Sequence, residues 1–277
     1  MNIALTDIKD VRDNLLPLTF TRPVALLRTG IGTIADHWRR ALPNAQFSFV
    51  TEDYLAKKFP ADKQIDLYIA GHVLPCPALT DAITSLPQGG WIADPDLQPI
   101  VWHEAPTGEP SAIVEVKAIT QPYHLFTLSK ELITADFHAL TASSHSQPIS
   151  DTCTVIGDPS LVFIEEGADV EGCFLNTRQG PIYIGRDAEV QEAVVLRGPV
   201  CIDAGSRVRA GARLLPGTNL GPKCKVGGEV GNAIFLANAN KQHDGYLGDA
   251  VIGEWCNLGA GCTSSNLKND YTEIRLW

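Results

Sequence analysis

The second half of the sequence contains residue types that could carry out acid–base chemistry. His243 lies in the segment KQHDGYLGDAVIGEWCNLGAGCTSSN, which runs from Lys241 to Asn266 and also holds Tyr246 and Asn257. An imidazole with a pKa near 6.5 is suited to general-base catalysis, and a positioned base typically contributes about 10²–10⁴ in rate. On its own, a histidine in a loop is most often an ordinary surface residue, so the surrounding pattern must decide its role.

The first half offers candidate phosphate-binding groups. Arg22 and Arg28 could hold a phosphate with two parallel hydrogen bonds, although each is also explained as a solvated charge on a helix. The segment TGIGT at residues 29–33 could present backbone N–H groups to a phosphate. A turn that begins a helix explains this segment equally well.

The elements that must position these groups change in character near residue 150. Up to about residue 142, short apolar runs alternate with amphipathic segments, which is typical of strands interleaved with helices. Strands are predicted at 1–5, 46–51, 65–70, 91–93, 100–103 and 112–116, and helices at 25–42, 52–59, 78–86 and 122–142. The polar run TASSHSQPISD at 141–151 predicts a linker. We therefore expect an α/β domain over residues 1–145.

Beyond this linker, aliphatic residues recur at every sixth position. They are Ile184, Val190, Leu196, Ile202, Val208, Leu214, Leu220 and Val226. A small or β-branched residue follows each of them four positions later, from Ala188 to Val230. This period predicts a parallel β-helix over residues 146–277, with three six-residue faces in each coil and the aliphatic side chains inside. The alternative, a β-sandwich, is disfavoured because its strands alternate with period two.

The six-residue register lapses from Gly231 to Gly248, where the sequence GNAIFLANANKQHDGYLG has few aliphatic residues that could point inwards. We expect a loop to leave the β-helix in this segment. His243 would then lie on a projecting loop whose two ends are held by a rigid scaffold, which is a favourable place for chemistry.

Composition excludes several classes of function. The chain has 22 Lys and Arg against 32 Asp and Glu, a formal net charge of −10, so it would repel a nucleic-acid backbone. Seven cysteines without a CxxC motif support neither a disulfide framework nor a zinc ribbon. The start, MNIALTDIKD, lacks the features of a signal peptide, and no apolar run approaches a membrane span of about 20 residues. We therefore expect a cytoplasmic protein with no membrane partner.

The motif that starts at His243 has the spacing H-x-x-Y-L-G-D-A-x-I-G-x-x-x-N-L-G-A-G. It resembles the acetyltransferase half of the bifunctional bacterial N-acetylglucosamine-1-phosphate uridyltransferase/glucosamine-1-phosphate acetyltransferase family. The whole chain resembles a divergent subfamily, through LLPLTFTRP near its start and NLKNDYTEIRLW near its end. The resemblance implies an α/β nucleotidyltransferase-like domain followed by a left-handed β-helix of the acyltransferase type.

The resemblance also implies roles for individual residues. His243 would take a proton from the sugar 2-amine as the amine attacks an acetyl thioester. Tyr246, Asn257 and Asn266 would hold the sugar phosphate or the acyl-transfer site, whereas the residues alone are also explained by packing or by corners of the β-helix.

Basic residues that bind the sugar phosphate in the family precede the histidine segment. This chain has Gly227, Gly228 and Glu229 there, so Lys241 and Lys225 are the nearest substitutes.

The first half departs further from the family. A glycine-rich loop that binds nucleotide phosphates is missing after the first strand, and Arg22-Pro23 stands where the family has Lys-Pro. The family's Gly-Asp pair, whose carboxylate holds Mg²⁺, is replaced by Gly71-His72, and imidazole is a poor ligand for this cation. Candidate replacement carboxylates, each also explained by a surface turn, are Asp7, Asp10, Asp94 and Asp96. The metal ligands therefore stay open.

The implied function is that of a transferase in sugar-nucleotide biosynthesis. Its substrates would be an amino-sugar 1-phosphate, acetyl-CoA and a nucleoside triphosphate with Mg²⁺, on the route to UDP-N-acetylglucosamine. The alternative is a homologue that binds sugar nucleotides as a regulator or scaffold without turnover. The flat faces of a β-helix pack well around a threefold axis, so we expect a homotrimer.

The family's solenoid continues through further coils that bind the acyl-CoA, whereas this sequence stops at Trp277, shortly after Asn257. Either a truncated form or impaired acyl transfer is therefore expected.

Overall fold

The computed structural model describes residues 1–264 and 268–273. Its contacts divide the chain into two compact units, of which the first comprises Met1–Arg28 and Gly32–His124. The second comprises Thr29–Ile31 and the chain from Leu125 onwards. The domain boundary near residue 145 stays a prediction. No helix in the described part of the chain has the length and apolar character that crossing a membrane requires.

The first unit is built on a six-stranded mixed sheet with the order β2-β1-β3-β5-β4-β6. The strands are β1 (Asn2–Thr6), β2 (Gln46–Val50), β3 (Leu67–Ala70), β4 (Trp91–Ala93), β5 (Pro99–Trp102) and β6 (Ala112–Ile113). β1 is parallel to β2 and β3, and β5 is antiparallel to β3 and β4. The apolar run Ile3-Ala4-Leu5 is fully buried, as expected of a central strand that is covered on both faces. The predicted α/β class is confirmed.

The helices of the first unit are short. They are α1 (Lys9–Asn14), a 3₁₀ turn (Val24–Leu26), α2 (Ile34–Ala41), α3 (Asp53–Ala56) and α4 (Pro77–Thr84). The helix predicted over 25–42 is therefore wrong in its start. Gly32, at φ +136°, cannot continue a helix, and Thr33 caps α2 by accepting a hydrogen bond from the N–H of Asp36 at 3.2 Å.

The second unit contains short parallel strands that wind into a β-helix. α5 (Pro122–Thr127) and α6 (Ser129–Thr141) precede these strands, and a 3₁₀ turn covers Pro159–Leu161. The strands are β7 (Thr154–Ile156), β8 (Val162–Ile164), β9 (Asp169–Val170), β10 (Phe174–Asn176), β11 (Ile182–Ile184), β12 (Glu189–Val190), β13 (Val195–Arg197), β14 (Val200–Ile202), β15 (Arg207–Val208), β16 (Arg213–Leu214), β17 (Asn219–Leu220), β18 (Lys225–Val226), β19 (Glu229–Phe235), β20 (Asn240–Lys241) and β21 (Tyr246–Ile252).

These strands stack as three ladders, one for each face of the coil. One ladder runs β7-β10-β13-β16-β19-β21, the second β8-β11-β14-β17-β19, and the third β9-β12-β15-β18-β20. β19 takes part in two ladders because its first half pairs with β16 and its second half with β17. All eight aliphatic residues of the six-residue repeat are buried, as are the small residues that follow them. The predicted β-helix is confirmed.

The expected loop at 231–248 is wrong, because most of these residues lie in β19, β20 and β21. Regular coils place partners 18 residues apart, as in the pair Arg207 and Lys225. Lys225 pairs with Asn240, only 15 residues later, and Asn240 bridges to Asn257 after 17. A shortened coil, and not an insertion, therefore breaks the six-residue register.

Candidate functional site

The first unit brings several polar residues to one edge of its sheet. β1, β2 and β3 are parallel, so their carboxyl ends meet at the same edge, where open α/β sheets bind their ligands. Asp7 follows β1, Thr51 follows β2, and Gly71-His72 follows β3. A cleft of about 260 Å³ opens beside Asp7 and Thr51.

Asp7 has both carboxylate oxygens engaged. One oxygen accepts a hydrogen bond from the N–H of Val24 at 2.8 Å, and the other accepts from the Thr51 hydroxyl at 2.6 Å and from Arg12 at 3.2 Å. The side chain is only 4% exposed. Burial raises the pKa of Asp7, and the hydrogen bonds and the nearby guanidinium oppose this shift. The carboxylate is thus part of a closed network.

The partner of this carboxylate, Arg12 on α1, is itself 3% exposed. Its guanidinium also donates to the Tyr54 hydroxyl at 2.7 Å and to the carbonyl of Arg22 at 3.3 Å. Sequence reasoning missed Arg12. In the sequence, Arg12 is marked by its position five residues after Asp7. The helix α1 brings the two side chains into contact.

His72 follows the third of these strands, β3. Burial lowers the pKa of its imidazole to about 4, and the Asp94 carboxylate opposes the shift weakly. Within the described residues, His72 Nδ1 has no hydrogen-bond partner. The side chain is therefore neutral at physiological pH.

The other candidate carboxylates give no cation site either. Asp94 closes a turn by accepting hydrogen bonds from the N–H groups of Asp96 at 3.0 Å and Gln98 at 2.8 Å, whereas Asp10 is exposed on α1. Among residues 1–264 and 268–273, no three His, Cys, Asp or Glu side chains are grouped so that they could hold a metal. Because both oxygens of Asp7 already accept hydrogen bonds, one of them from the Arg12 cation, and imidazole suits Mg²⁺ poorly, these residues fit this cation poorly.

The two arginines predicted to bind phosphate lie in different surroundings. Arg22 is half-buried beside the Asp7 network, and its guanidinium donates to the Thr21 hydroxyl at 3.3 Å. Arg28 is only 5% exposed, so it is not the solvated charge that one alternative expected, and its phosphate-binding role stays a prediction.

The TGIGT segment does not form a phosphate cradle. The N–H of Ile31 donates to the Asp136 carboxylate at 2.6 Å, and the carbonyl of Gly30 accepts from the Asn219 amide at 2.6 Å. The N–H of Thr33 is held by Asp36 at 2.9 Å. Of the two explanations for this segment, the structure supports the turn that begins a helix.

In the second unit, His243 lies in the turn at 242–245 that joins β20 to β21, and its side chain is exposed. The glycine pair Gly227-Gly228 lies directly under this turn. A Cβ on Gly227 would overlap the carbonyl oxygen of Gln242, and one on Gly228 would come within 2.8 Å of the carbonyl oxygen of Gly245. These glycines therefore let the histidine turn pack closely on the coil below.

Lys241 does not reach the surface. It is 1% exposed, and it stands in register with Val226 in the column of inward-pointing side chains. The expectation that Lys241 binds a substrate phosphate does not fit this burial. The sequence could not reveal it, because the shortened coil moves Lys241 into an aliphatic position.

Tyr246 begins the strand after the turn and is half-buried. Its backbone N–H lies 3.2 Å from the Thr263 hydroxyl. In the same ladder, Tyr246 pairs with Glu229, which forms an ion pair with Arg213 at 2.9 Å. The arginine nearest to Tyr246 along this ladder is therefore already neutralised by a carboxylate.

Asn257 is exposed on another face, where its side-chain oxygen accepts a hydrogen bond from the Asn240 amide at 2.7 Å. This bond between asparagines of successive coils supports the explanation by packing, and the substrate-binding role stays a prediction. Asn266 lies outside the described residues. The roles of His243 and Tyr246 also stay predictions.

Comparisons with known proteins show which family the chain resembles. A family model described as sugar nucleotidyl transferase matches residues 3–145. Among curated relatives, the bifunctional protein GlmU of Jannaschia sp. (strain CCS1) is 35% identical over 103 residues, which cover 30% of this chain and 23% of that protein.

Two further relatives extend over more of the chain. The bifunctional protein GlmU of Methylibium petroleiphilum is 31% identical over 172 residues, or 57% of this chain and 37% of that protein. The one of Cupriavidus pinatubonensis is 25% identical over 185 residues, or 58% of this chain and 38% of that protein. The chain therefore spans less than two fifths of the length of these relatives.

Proposed function

The chain belongs to the sugar nucleotidyl transferase family, and from this premise we propose that its second unit transfers an acetyl group from acetyl-CoA to an amino-sugar 1-phosphate. At the level of the family, it is a transferase of sugar-nucleotide biosynthesis, related to bifunctional GlmU proteins. The acetyl transfer and the identity of the sugar are the proposed part.

The observation that carries this proposal is an exposed imidazole on a turn whose backbone is held from inside. His243 faces solvent, whereas its own carbonyl oxygen accepts a hydrogen bond from the buried Lys241 ammonium at 3.0 Å. A base on a fixed backbone loses less freedom when it meets the substrate, and this lowers the barrier to reaction.

The reaction that such a base supports is simple to balance. The amine nitrogen of the sugar attacks the thioester carbonyl carbon, so a C–N bond forms and the C–S bond breaks. His243 takes the proton that the amine gives up, and the departing sulfur is protonated to give free CoA. Tyr246 and Asn257 follow the turn in sequence and are proposed to hold the sugar phosphate or the acyl-transfer site.

For the first unit we propose binding of a sugar phosphate or nucleotide at the carboxyl edge of β1 to β3. The family implies a Mg²⁺-dependent nucleotidyl transfer, but the engaged oxygens of Asp7 and the neutral His72 do not fit Mg²⁺. No nucleotidyl-transfer step is therefore derived for this edge. UDP-N-acetylglucosamine as the ligand and a homotrimeric assembly stay predictions.

The proposal is tested by thiol release from acetyl-CoA in the presence of glucosamine 1-phosphate. We expect His243→Ala to lower kcat by about 100-fold or more, because a positioned base contributes that much. The matched control is His145→Ala, which removes another exposed histidine of the same unit and is expected to keep kcat within about twofold. Equal thiol release by wild type and His243→Ala would refute the assignment.

A further inference from the structure

Lys241 is a cation in the interior of the β-helix. The inward column into which it falls holds Val190, Val208 and Val226 on the coils below. Burying a lysine here removes its ammonium group from water, which costs free energy. An aliphatic residue at the same position would not carry this cost. The position therefore calls for a reason beyond packing.

The surroundings of the ammonium give this reason. Its Nζ donates to the carbonyl oxygens of Gly227 at 3.2 Å, His243 at 3.0 Å and Gly245 at 2.8 Å. An ammonium has three hydrogens, so these bonds use its full donor capacity. Two of the acceptors belong to the turn that carries His243, and the third belongs to the coil below.

We propose that Lys241 is a positioning residue that ties the His243 turn to the underlying coil and so sets the direction of the imidazole. The inference rests on the proposed function of His243. Because the ammonium donates its three hydrogen bonds to backbone carbonyl oxygens, the side chains of the turn stay available for the substrate. The glycine pair Gly227-Gly228 completes the arrangement by letting the turn approach closely enough for these bonds.

A merely structural role makes a different prediction. If Lys241 only fills the core, methionine should replace it well, since methionine is of similar length and restores the apolar column. Methionine avoids the cost of burying the ammonium, but it also leaves the carbonyl oxygens of Gly227, His243 and Gly245 without this donor, so the two effects on overall stability oppose each other. The two roles therefore diverge in the order of the turn and in catalysis, and not in overall stability.

The test compares wild type, Lys241→Met and the control Lys130→Met, which removes an exposed lysine on α6 of the same unit. In Lys241→Met, we expect backbone amide exchange at 242–246 to become at least about tenfold faster while residues 184–226 keep their protection. We also expect kcat for acetyl transfer to fall at least about 30-fold, with KM for both substrates within about threefold. Lys130→Met should resemble wild type in both measurements.

Each outcome decides the inference. Unchanged exchange at 242–246 in Lys241→Met overturns it, and so does a loosened turn with unchanged kcat. If wild type itself releases no thiol, the proposed function fails, whereas faster exchange in Lys241→Met still supports Lys241 as the anchor of the turn. Should Lys241→Met not fold, Lys241→Gln serves as the second variant and is judged by the same exchange measurement.

Discussion

The two units use their buried charges in opposite ways. In the α/β unit, the side chains of Asp7 and Arg12 are both almost fully buried and form an ion pair. The carboxylate at the carboxyl edge of the sheet is therefore engaged by a side chain of the protein itself. In the β-helix, the buried ammonium of Lys241 is satisfied by backbone carbonyls, and the His243 imidazole stays exposed. Backbone acceptors can therefore stabilise a site without engaging its side chains.

The largest expected effect concerns the closed network of the first unit. Asp7→Ala removes the buried carboxylate that pairs with Arg12 and leaves this guanidinium with the half-exposed Glu52 carboxylate at 3.8 Å. Breaking a buried pair costs about 3–5 kcal/mol, and we expect a loss near the lower end of this range because Glu52 remains. Urea unfolding measures the loss. The control is Asp13→Ala, which removes the partner of exposed Lys9 and is expected to change stability far less. Similar losses in the two variants would show that Asp7 is not committed to Arg12, and the contrast between the units would disappear.

The second prediction concerns pH. His72 has a folded-state pKa of about 4, below the usual 6.5. Between these pH values the unfolded chain binds a proton that the folded chain does not, so stability is full above pH 6.5 and falls as the pH drops towards 4. The loss amounts to about 3 kcal/mol.

The variant His72→Gln lacks this titration, so urea unfolding at several pH values should show wild type losing this much relative to His72→Gln. A constant difference between the two proteins would mean that His72 is solvated, and the edge would then be open to ligands.

The smallest effect sharpens the description of the His243 turn. Gly228 and Gly211 have nearly the same left-handed φ, +73° and +72°, so alanine is strained alike at both. Only at Gly228 would the new Cβ meet the turn, at 2.8 Å from the carbonyl oxygen of Gly245. We expect Gly228→Ala to lose about 1 kcal/mol more than Gly211→Ala and to lower acetyl transfer.

Thermal unfolding and thiol release measure these two effects. If Gly228→Ala and Gly211→Ala behave alike, the turn does not depend on close packing.

Much of the fold could be predicted from the sequence because it follows local periodicity. The six-residue step from Ile184 to Val226 alone indicates a β-helix, whereas the motif after His243 predicts a site only through its resemblance to a family, and that site stays a prediction. The shortened coil could not be predicted, since a missing set of residues and an inserted loop both destroy a six-residue register. The interior position of Lys241 depends on that coil length.

The network of the first unit was equally inaccessible to sequence reasoning. Asp7 meets Thr51 across 44 residues, through the pairing of β1 with β2. Such a contact cannot be predicted from the sequence, because both residues are polar, lie in loops and belong to no periodic pattern. The sequence therefore predicts Asp7 as a candidate metal ligand but does not predict its pairing with Arg12.

We propose that the second unit presents a catalytic base and that the first unit binds ligand without Mg²⁺-dependent transfer. The most direct measurement follows two reactions in one preparation: thiol release from acetyl-CoA with glucosamine 1-phosphate, and pyrophosphate release from UTP and Mg²⁺ with N-acetylglucosamine 1-phosphate. We predict thiol release that depends on the sugar phosphate and pyrophosphate release no faster than without protein. Rapid pyrophosphate release without thiol release would contradict the roles proposed for both units.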